Sequence, residues 1–467
     1  MPRLLKMIHR ILGYYQPNLQ ALSLMRIALA LVIIADLIIR GYDLQAFYGN
    51  AGVWPQNYIY SFSGKPGMWT LHSLFENDIW LYVLYAINLI SAITFLIGYK
   101  TKASNVVLWL LTISFHNRNL YILQAGDDLL RLLLLIGIFL PWGSNYSIDK
   151  KRATTQNSAL GGLAYLILIA SVYYFTAALK YSDQWRINHS ALYYALGLDM
   201  YRGAWADYLY PHQRLMSALT GLTILVEYLL PVLILWPSKK GHFRLVAFII
   251  LFGLHLSFAL FLKVGLFYLI SISAGMGLLP HYLFKQRTDK EEEKVTYGSR
   301  RLVNEGIIFM IIVLSLTVNF SSLPGCIYQP NRGLQYVINF LRIDQYWGMF
   351  APAVPEENKW LVYMSYNAKG QQHDIYHDSD YVDFDHSARL NNRFKSDRWK
   401  KLAENVQHDY YTFLRPHYCR YFLKTWNREH PKNQMHVLNL YGLSQKNLQS
   451  YKKGKTVKKH LCNCDEQ

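Results

Sequence analysis

A series of long apolar runs most restricts how this chain can fold. About 20 mostly apolar residues are needed for a helix to cross a bilayer, and runs near that length recur through the first two-thirds of the chain. We predict nine spanning segments, two of them short: Ser23–Ile39, Ile79–Gly98, Asn105–Phe115, Leu129–Trp142, Leu160–Leu179, Ser217–Trp236, Leu245–Leu262, Val264–Pro280 and Gly306–Leu323. The expected fold is an all-α polytopic membrane bundle of about eight or nine transmembrane helices.

Lysine and arginine predict the orientation of this bundle. The chain carries 48 of them against 30 Asp and Glu, a net charge of +18. They concentrate in alternate loops, for example at Lys150–Arg152, Lys239–Arg244 and 285–301. Such loops lie in the cytoplasm. We therefore expect a multi-pass protein of the inner (plasma) membrane with a cytoplasmic N-terminus. The positive charge then reflects topology in a lipid bilayer, and we predict no binding to nucleic acid.

The last third of the chain lacks long apolar runs. Alternation over Trp360–Tyr366 predicts a strand, and Gly370 predicts a turn after it. Helices are predicted over Phe394–Val406 and His408–Trp426, and Pro416 should break or kink the second one. These elements predict a small α+β domain.

These differences divide the chain into four parts. They are a cytoplasmic basic N-terminus (1–20), a transmembrane domain (21–324), an extracytoplasmic α+β domain (325–450) and a basic, mobile tail (451–467). All four cysteines lie after the transmembrane domain, at Cys326, Cys419, Cys462 and Cys464. One or two disulfides could form there if that part is extracytoplasmic.

Charged side chains inside the predicted spans need a partner or a purpose, because each costs roughly 2.5–3.5 kcal/mol on insertion. Asp36 and Arg40 are four residues apart, as are Asp127 and Arg131, so the members of each pair share one helix face. We predict an ion pair within each, which would orient the helices.

Three further ionisable residues each leave two interpretations open. Glu227 lies four residues before Pro231 and is either a proton site or a protonated carboxyl that bonds to a neighbour. His255 is either a functional group or a hydrogen-bonded core residue. Lys180, at the end of a span, either extends to the membrane interface or acts as a base in its neutral form.

A run of four polar residues joins the third and fourth predicted spans. His116, Asn117, Arg118 and Asn119 predict a cavity wall or a re-entrant turn, with an ordinary polar loop as the alternative. A second polar stretch, 373–386, is rich in Asp and His. It could bind a divalent cation, but its spacing matches no metal-ligand pattern, so we predict a solvated loop or strand edge and no metal site.

Several stretches together resemble a known family. They are Ser114–Asn119, Gly126–Asp128 with Arg131 following, Pro141, Tyr174–Trp185 and Tyr346–Pro352. They are similar to the HTTM (horizontally transferred transmembrane) domain family, whose membrane part is similar to that of vitamin K-dependent γ-carboxylase. His255, followed by Gly265 and Phe267, also resembles the carboxylase pattern.

This resemblance implies a cofactor, a substrate and site residues. In the carboxylase, a lysine that matches Lys180 is the base that deprotonates vitamin K hydroquinone. A quinone or hydroquinone is therefore the implied cofactor, and a secreted peptide or protein is the implied substrate. Lys180 and His255 are the implied catalytic residues. The implied cavity residues are His116, Asn117, Arg118, Asn119, Asp127, Arg131, Glu227 and Trp185.

Two departures separate this chain from the carboxylase. Arg118 stands where the carboxylase has a functional histidine, and Leu196 and Gly197 fall near its arginine–histidine pair. The resemblance therefore implies quinone-linked chemistry on an extracytoplasmic substrate and leaves glutamate carboxylation open. The second hypothesis is a non-enzymatic membrane protein that assists maturation or export of a secreted peptide, as similar sporulation-delaying toxin maturation proteins suggest.

Overall fold

A computed structural model describes residues 11–59, 65–151, 158–284, 299–385 and 394–465. The protein is mostly helical and carries a small antiparallel sheet near its C-terminus. The helices of the first part are α1 Leu19–Tyr42, α2 Leu44–Tyr48, α3 Asp78–Ile97, α4 Thr101–Arg118, α5 Ala125–Gly137, α6 Ala159–Leu179, α7 Asp183–Arg186, α8 Ala191–Gly197, α9 Ala206–Leu209, α10 Gln213–Leu235, α11 His242–Phe261, α12 Phe267–Gly275 and α13 Ser299–Ser321. The later elements are α14 Arg332–Leu341, β1 Glu357–Tyr366, β2 Gln372–Asp374, α15 Asp397–Gln407, α16 Leu414–Glu429, β3 Val437–Asn447 and β4 Lys453–Asp465.

Six helices in the described part of the chain are long and apolar enough to cross a bilayer. They are α1, α3, α6, α10, α11 and α13. Large apolar side chains on several of them face outward, such as Ile79 and Ile90 on α3 and Leu225 on α10. Contiguous exposed apolar surface of this kind marks contact with lipid or with another protein. The six helices therefore suggest a membrane protein.

The three remaining predicted spans lie in helices that are shorter or more polar. Helix α4 ends in polar residues, α5 has 13 residues, and α12 has 9. A helix of 13 residues is only about 20 Å long, which is less than the roughly 30 Å of hydrocarbon in a bilayer. All residues of α5 from Leu129 to Gly137 are buried by neighbouring elements. The structure thus supports six spanning helices, and the count of eight or nine stays a prediction.

Helix α6 has the largest share of buried residues among these six candidate spans. It packs along α10 and α13. It begins after Ser158, whose side chain accepts a hydrogen bond from the Gly161 N–H at 3.0 Å and so satisfies a free donor of the first turn. It ends at Lys180, which caps its C-terminus. This packing fixes the position of the predicted base.

The C-terminal sheet is antiparallel, with the strand order β2-β1-β3-β4. β1 pairs with β3 along its whole length, which confirms the strand predicted over Trp360–Tyr366. The turn predicted at Gly370 is also confirmed, because Gly370 has a φ of +76° and lies between β1 and β2. Helix α16 packs on β3 and β4 over a core that contains Tyr418, Leu438 and Leu440.

The effect predicted for Pro416 is wrong. Pro416 is the third residue of α16 and lies in its first turn. A backbone N–H in that turn has no intrahelical partner, so a proline there removes no hydrogen bond. The helix predicted over His408–Trp426 accordingly begins later, at Leu414, and runs on to Glu429.

The mobile tail predicted over 451–467 is also wrong for the residues that the structure describes. Residues Lys453–Asp465 form β4, which pairs with β3. The strand has no simple apolar alternation because it lies at the edge of the sheet. Most of its side chains, including Lys458 and Lys459, are exposed, and Cys464 is its buried residue. Hydropathy alone therefore cannot distinguish this exposed strand from a solvated tail.

Removal of β4 tests this correction. A chain that ends after Lys452 should expose the core beneath α16, and we expect its C-terminal part to melt at least roughly 5–10 °C lower, since 1 kcal/mol shifts a domain of this size by about 4–8 °C. Thermal unfolding in detergent and limited proteolysis would measure the change. A chain that ends after Asp465 is the matched control. Equal stability of the two chains would mean that the segment is a dispensable tail.

Candidate functional site

Lys180, the predicted base, forms a buried ion pair with Glu227. Lys180 caps the C-terminus of α6, and Glu227 lies in α10. Lys180 Nζ contacts Glu227 Oε1, and the two residues are only 3% and 2% exposed. A lysine held in this way does not extend to the interface, so the contact argues against that interpretation.

Two residues of α7 hold the end of α6. The ring centroid of Trp185 lies 4.5 Å from Lys180 Nζ, a cation–π contact. Arg186 donates hydrogen bonds to the backbone oxygens of Lys180 at 2.8 Å and Ala177 at 2.7 Å. These carbonyls lie at a helix C-terminus, where a cation is favourable. Sequence reasoning missed Arg186, although a basic residue just past a helix end is the expected signal.

The segment Tyr346–Pro352 also lies beside Lys180. Trp185 Nε1 donates to the Phe350 carbonyl oxygen at 2.8 Å, and the Ser182 N–H donates to the Pro352 carbonyl oxygen at 3.3 Å. Two of the stretches that resemble the HTTM family, far apart in sequence, therefore meet at the end of α6.

Glu227 has unused hydrogen-bonding capacity. Its second carboxyl oxygen, Oε2, is buried without a hydrogen-bond partner among the described residues. Pro231, inside α10, lacks a backbone N–H, so the carbonyl of Glu227 also loses its helical donor. Leaving such an acceptor unsatisfied costs about 1–3 kcal/mol. The Oε2 atom can therefore accept a hydrogen bond from a ligand hydroxyl.

His255 joins the same region through Tyr173. His255 Nε2 lies 2.8 Å from the hydroxyl of Tyr173, and His255 is 1% exposed. Its Nδ1 has no partner in the described part of the chain. Tyr173 precedes Lys180 by seven residues, which places both on one face of α6, and it lies near enough to Glu227 for the two to interact electrostatically. We call Lys180, Glu227, Tyr173 and His255 together the Lys180 site.

Several other predicted residues belong to a separate, buried ionic network. It consists of Asp36, Arg40, Asp127 and Arg398. Arg398, on α15, donates at 2.8 Å to Asp36 Oδ1 and at 2.8 Å to Asp127 Oδ1. Arg40 lies 2.7 Å from Asp36 and 2.6 Å from Asp127. The predicted Asp36–Arg40 pair is confirmed, and two arginines balance two carboxylates.

The predicted Asp127–Arg131 ion pair is wrong. Asp127 faces Arg398, whereas Arg131 pairs with Asp128 and lies 3.4 Å from Asp344. A spacing of four residues allows a contact but does not exclude a better partner from another element. Arg398 comes from 271 residues further along the chain, and no local pattern could have indicated it.

The polar run His116–Asn119 makes structural contacts. His116 Nε2 lies 3.4 Å from Asp127 at the edge of the ionic network. Arg118 donates to the backbone oxygens of Trp54 at 2.7 Å and Gly49 at 3.0 Å. Asn119 donates a hydrogen bond to the backbone oxygen of Phe47. Asn117 donates to the backbone oxygen of Trp69 and accepts a hydrogen bond from Arg342. None of these contacts reaches Lys180, so the run anchors the segment after α2 against α4.

The acidic and histidine-rich stretch forms local pairs. His373 lies 2.8 Å from Asp380 and 3.1 Å from Asp378, and His377 lies 2.9 Å from Asp374. Among the described residues, no group of three or more His, Cys, Asp or Glu side chains is arranged so that it could hold a metal ion. His386, at the end of the predicted stretch, lies outside the described residues.

A cleft of about 770 Å³ opens between the end of α1, the turn from α11 to α12 and the start of α15. Its lining mixes apolar residues such as Leu262 with the charged residues Lys263, Lys395 and Arg398. It includes Ala259, one helical turn after His255, but not Lys180. The cleft and the Lys180 site are therefore distinct.

No family model, curated protein or solved structure matches this chain. The family resemblance therefore rests on the sequence stretches named above.

A double-mutant cycle tests the reassignment of Asp127. Asp127→Asn and Arg398→Gln should each lower the free energy of unfolding by roughly 3–5 kcal/mol, because each leaves a buried charge without its partner. The double change should recover about 0.5–3 kcal/mol of the summed loss. Unfolding of the purified protein in detergent would measure the three variants.

The matched control cycle combines Asp127→Asn with Arg131→Gln. Since Arg131 pairs with Asp128, its coupling to Asp127 should be smaller than that of Arg398. A larger coupling in the control cycle would restore the pair predicted from helical spacing.

Proposed function

We propose that this chain is a multi-pass membrane enzyme of the HTTM, vitamin K-dependent carboxylase-like type, which uses Lys180 as a base in a quinone-linked reaction on an extracytoplasmic substrate. The observation that carries the proposal is the buried Lys180–Glu227 pair at the end of an apolar helix. The two side chains are in direct contact, so a proton can pass from Lys180 to Glu227. A proton that moves to Glu227 leaves Lys180 neutral and able to act as a base.

The Lys180 site suits a quinone-type ligand. Glu227 Oε2 and His255 Nδ1 are buried atoms with free hydrogen-bonding capacity within the described residues. The rings of Phe258 and Phe267 each lie 5.3 Å from that of His255. Buried polar atoms beside aromatic rings are a common setting for small aromatic ligands. A hydroquinone would supply an acidic hydroxyl and two electrons.

Each polar residue of the site then has a separate role. Lys180 accepts the proton, and Glu227 holds the proton that Lys180 has released. The hydrogen bond from Tyr173 to His255 orients the imidazole and decides which ring nitrogen carries its proton. His255 Nδ1 remains available to the ligand.

The charge pattern supports a membrane orientation for this reaction. Lys150–Arg152 precede α6 and are expected in the cytoplasm. Lys180, at the other end of α6, would then lie near the outer face. A quinol could reach it from the bilayer and a secreted peptide from outside. The plasma membrane and the extracytoplasmic C-terminal domain belong to this proposal.

A non-enzymatic protein that assists maturation or export of a secreted peptide is the second candidate. The observation that favours it is the direct bond between α6 and α10, since a buried ion pair can hold two helices in register without any chemistry. The two candidates differ in what they require of Lys180.

Substitution of Lys180 separates them. Lys180→Arg keeps the charge and the pairing with Glu227 but cannot act as a base, because arginine does not lose its proton. The enzyme should keep its fold and lose roughly 10²–10⁴-fold in quinol-dependent oxygen uptake, the usual contribution of a general base. Lys400→Arg, at a buried lysine on α15, is the matched control and should keep the rate.

A second variant tests the structural alternative. Lys180→Met with Glu227→Leu replaces the ion pair by apolar residues, a change that is often neutral or stabilising. The enzyme proposal expects a stable, inactive protein. A stable protein that still supports the cellular phenotype would leave the pair with a structural role only.

Thiol labelling tests the orientation. Lys240→Cys, in the exposed loop between α10 and α11, and Lys369→Cys, in the exposed turn after β1, are each placed in a background with Cys326→Ser and Cys462→Ser, because both of these native thiols are partly exposed. With a membrane-impermeant reagent, position 369 should react in intact cells and position 240 only after lysis, because the charge rule places them on opposite sides. The reverse pattern would contradict the proposed orientation.

A further inference from the structure

Three of the four thiols lie together in the C-terminal part of the chain. Cys419 lies on α16, and Cys462 and Cys464 lie on β4. Cys419 is fully buried, Cys464 is 8% exposed, and Cys462 is partly exposed. We call these three residues the thiol cluster. None of these three thiols belongs to the Lys180 site.

Strand and helix geometry bring the three thiols to one place. Cys462 and Cys464 are two residues apart in β4, so their side chains leave the same face of the sheet. Cys462 Sγ donates to the backbone oxygen of Arg415 at 3.4 Å, and Arg415 precedes Cys419 by one turn of α16. Cys419 Sγ donates to the backbone oxygen of Leu438 at 3.5 Å. Leu438 is the partner of Cys464 in the β3–β4 register.

Cys419 is the central member of the cluster. Its thiol lies close enough to those of Cys462 and Cys464 to interact with both, and these two contacts, together with burial, raise the pKa of Cys419. The contact with Cys419 is also the main reason that the pKa of Cys464 falls below its usual value. A lowered pKa favours the thiolate, which is the reactive form in disulfide exchange.

We infer that the thiol cluster is a redox site that forms one reversible disulfide, always through Cys419, with Cys462 and Cys464 as alternative partners. Three thiols around one centre can form one bridge and leave one thiol. The bridge would join helix α16 to the edge strand β4 covalently. This inference goes beyond the proposed function and does not depend on it.

Oxidation requires a disulfide carrier, and it proceeds by two exchanges. The Cys462 thiolate, the most accessible of the three, attacks one sulfur of the carrier disulfide, and the carrier S–S bond breaks to release one carrier thiolate. Cys419 then loses its proton and attacks the Cys462 sulfur of the mixed disulfide, so that the second carrier thiolate leaves. Two protein thiols have lost two electrons and two protons, and the carrier disulfide has become two thiols.

A third exchange moves the bridge within the cluster. The Cys464 thiolate attacks the Cys419 sulfur, forms the Cys419–Cys464 bond and releases Cys462 as a thiolate. The number of disulfides does not change. The accessible thiol is then free to react with a further carrier or partner.

Counting free thiols in the full-length protein tests the inference. The protein in detergent is equilibrated with oxidised glutathione, denatured and alkylated with iodoacetamide, and its mass and peptide links are measured. We expect two alkylated cysteines, Cys326 and one member of the cluster, and four after reduction with dithiothreitol. The linked peptides should join Cys419 to Cys462 and to Cys464. Four alkylated thiols, a stable glutathione adduct in place of the bridge or a link to Cys326 would each overturn the proposal.

Single substitutions test the central position of Cys419. Cys462→Ala and Cys464→Ala should each keep one bridge, and Cys419→Ala should have none. Cys326→Ala is the matched control and should behave like the unchanged protein. A Cys462–Cys464 bridge in Cys419→Ala would show that Cys419 is not required. The count on the unchanged chain decides the proposal even if Cys419→Ala fails to fold.

Discussion

Pairing of buried charge is the constraint on which the rest of this structure depends. The ionic network places two carboxylates and two guanidinium groups in the interior, where an uncompensated charge would cost several kcal/mol. Three of its members come from α1 and α5, and the fourth, Arg398, comes from α15. The network therefore binds the C-terminal part to the helical bundle. Until Arg398 is synthesised, the bundle holds one carboxylate more than the network's arginines can balance.

The Lys180 site follows the same rule in a smaller form. One lysine and one glutamate compensate each other between α6 and α10, while Tyr173 satisfies one nitrogen of His255. The two clusters differ in whether they contain buried polar atoms without a hydrogen-bond partner. None of the four side chains of the ionic network has a buried nitrogen or oxygen atom without a partner, whereas the Lys180 site keeps one carboxyl oxygen and one imidazole nitrogen unsatisfied within the described residues. The proposal of a ligand at the Lys180 site rests on these two unpartnered atoms.

Local signals in the sequence predicted local features. The long apolar helices, the strand around Trp360 and the turn at Gly370 all follow from periodicity or backbone preference within a few residues. The ion pair between Asp127 and Arg398 could not be predicted, because the two residues are 271 positions apart in the sequence. Two further features could not be predicted. The position of Pro416 in the first turn of α16 depends on the exact helix boundary. The strand β4 depends on tertiary contacts with β3 and α16. The convergence of Trp185 and Phe350 beside Lys180 is equally a result of tertiary structure.

The exposed lysines of β4 also affect how two copies of this protein can approach each other. β4 is the outer strand of its sheet, and an unpaired strand edge is a template for pairing with another chain. Lys455, Lys458 and Lys459 are all exposed along this edge, so two copies that approach edge to edge would bring like charges together. Membrane proteins diffuse in two dimensions and meet one another often. The lysines that give β4 the composition of a solvated tail thus also disfavour edge-to-edge pairing, and so aggregation, between neighbouring molecules.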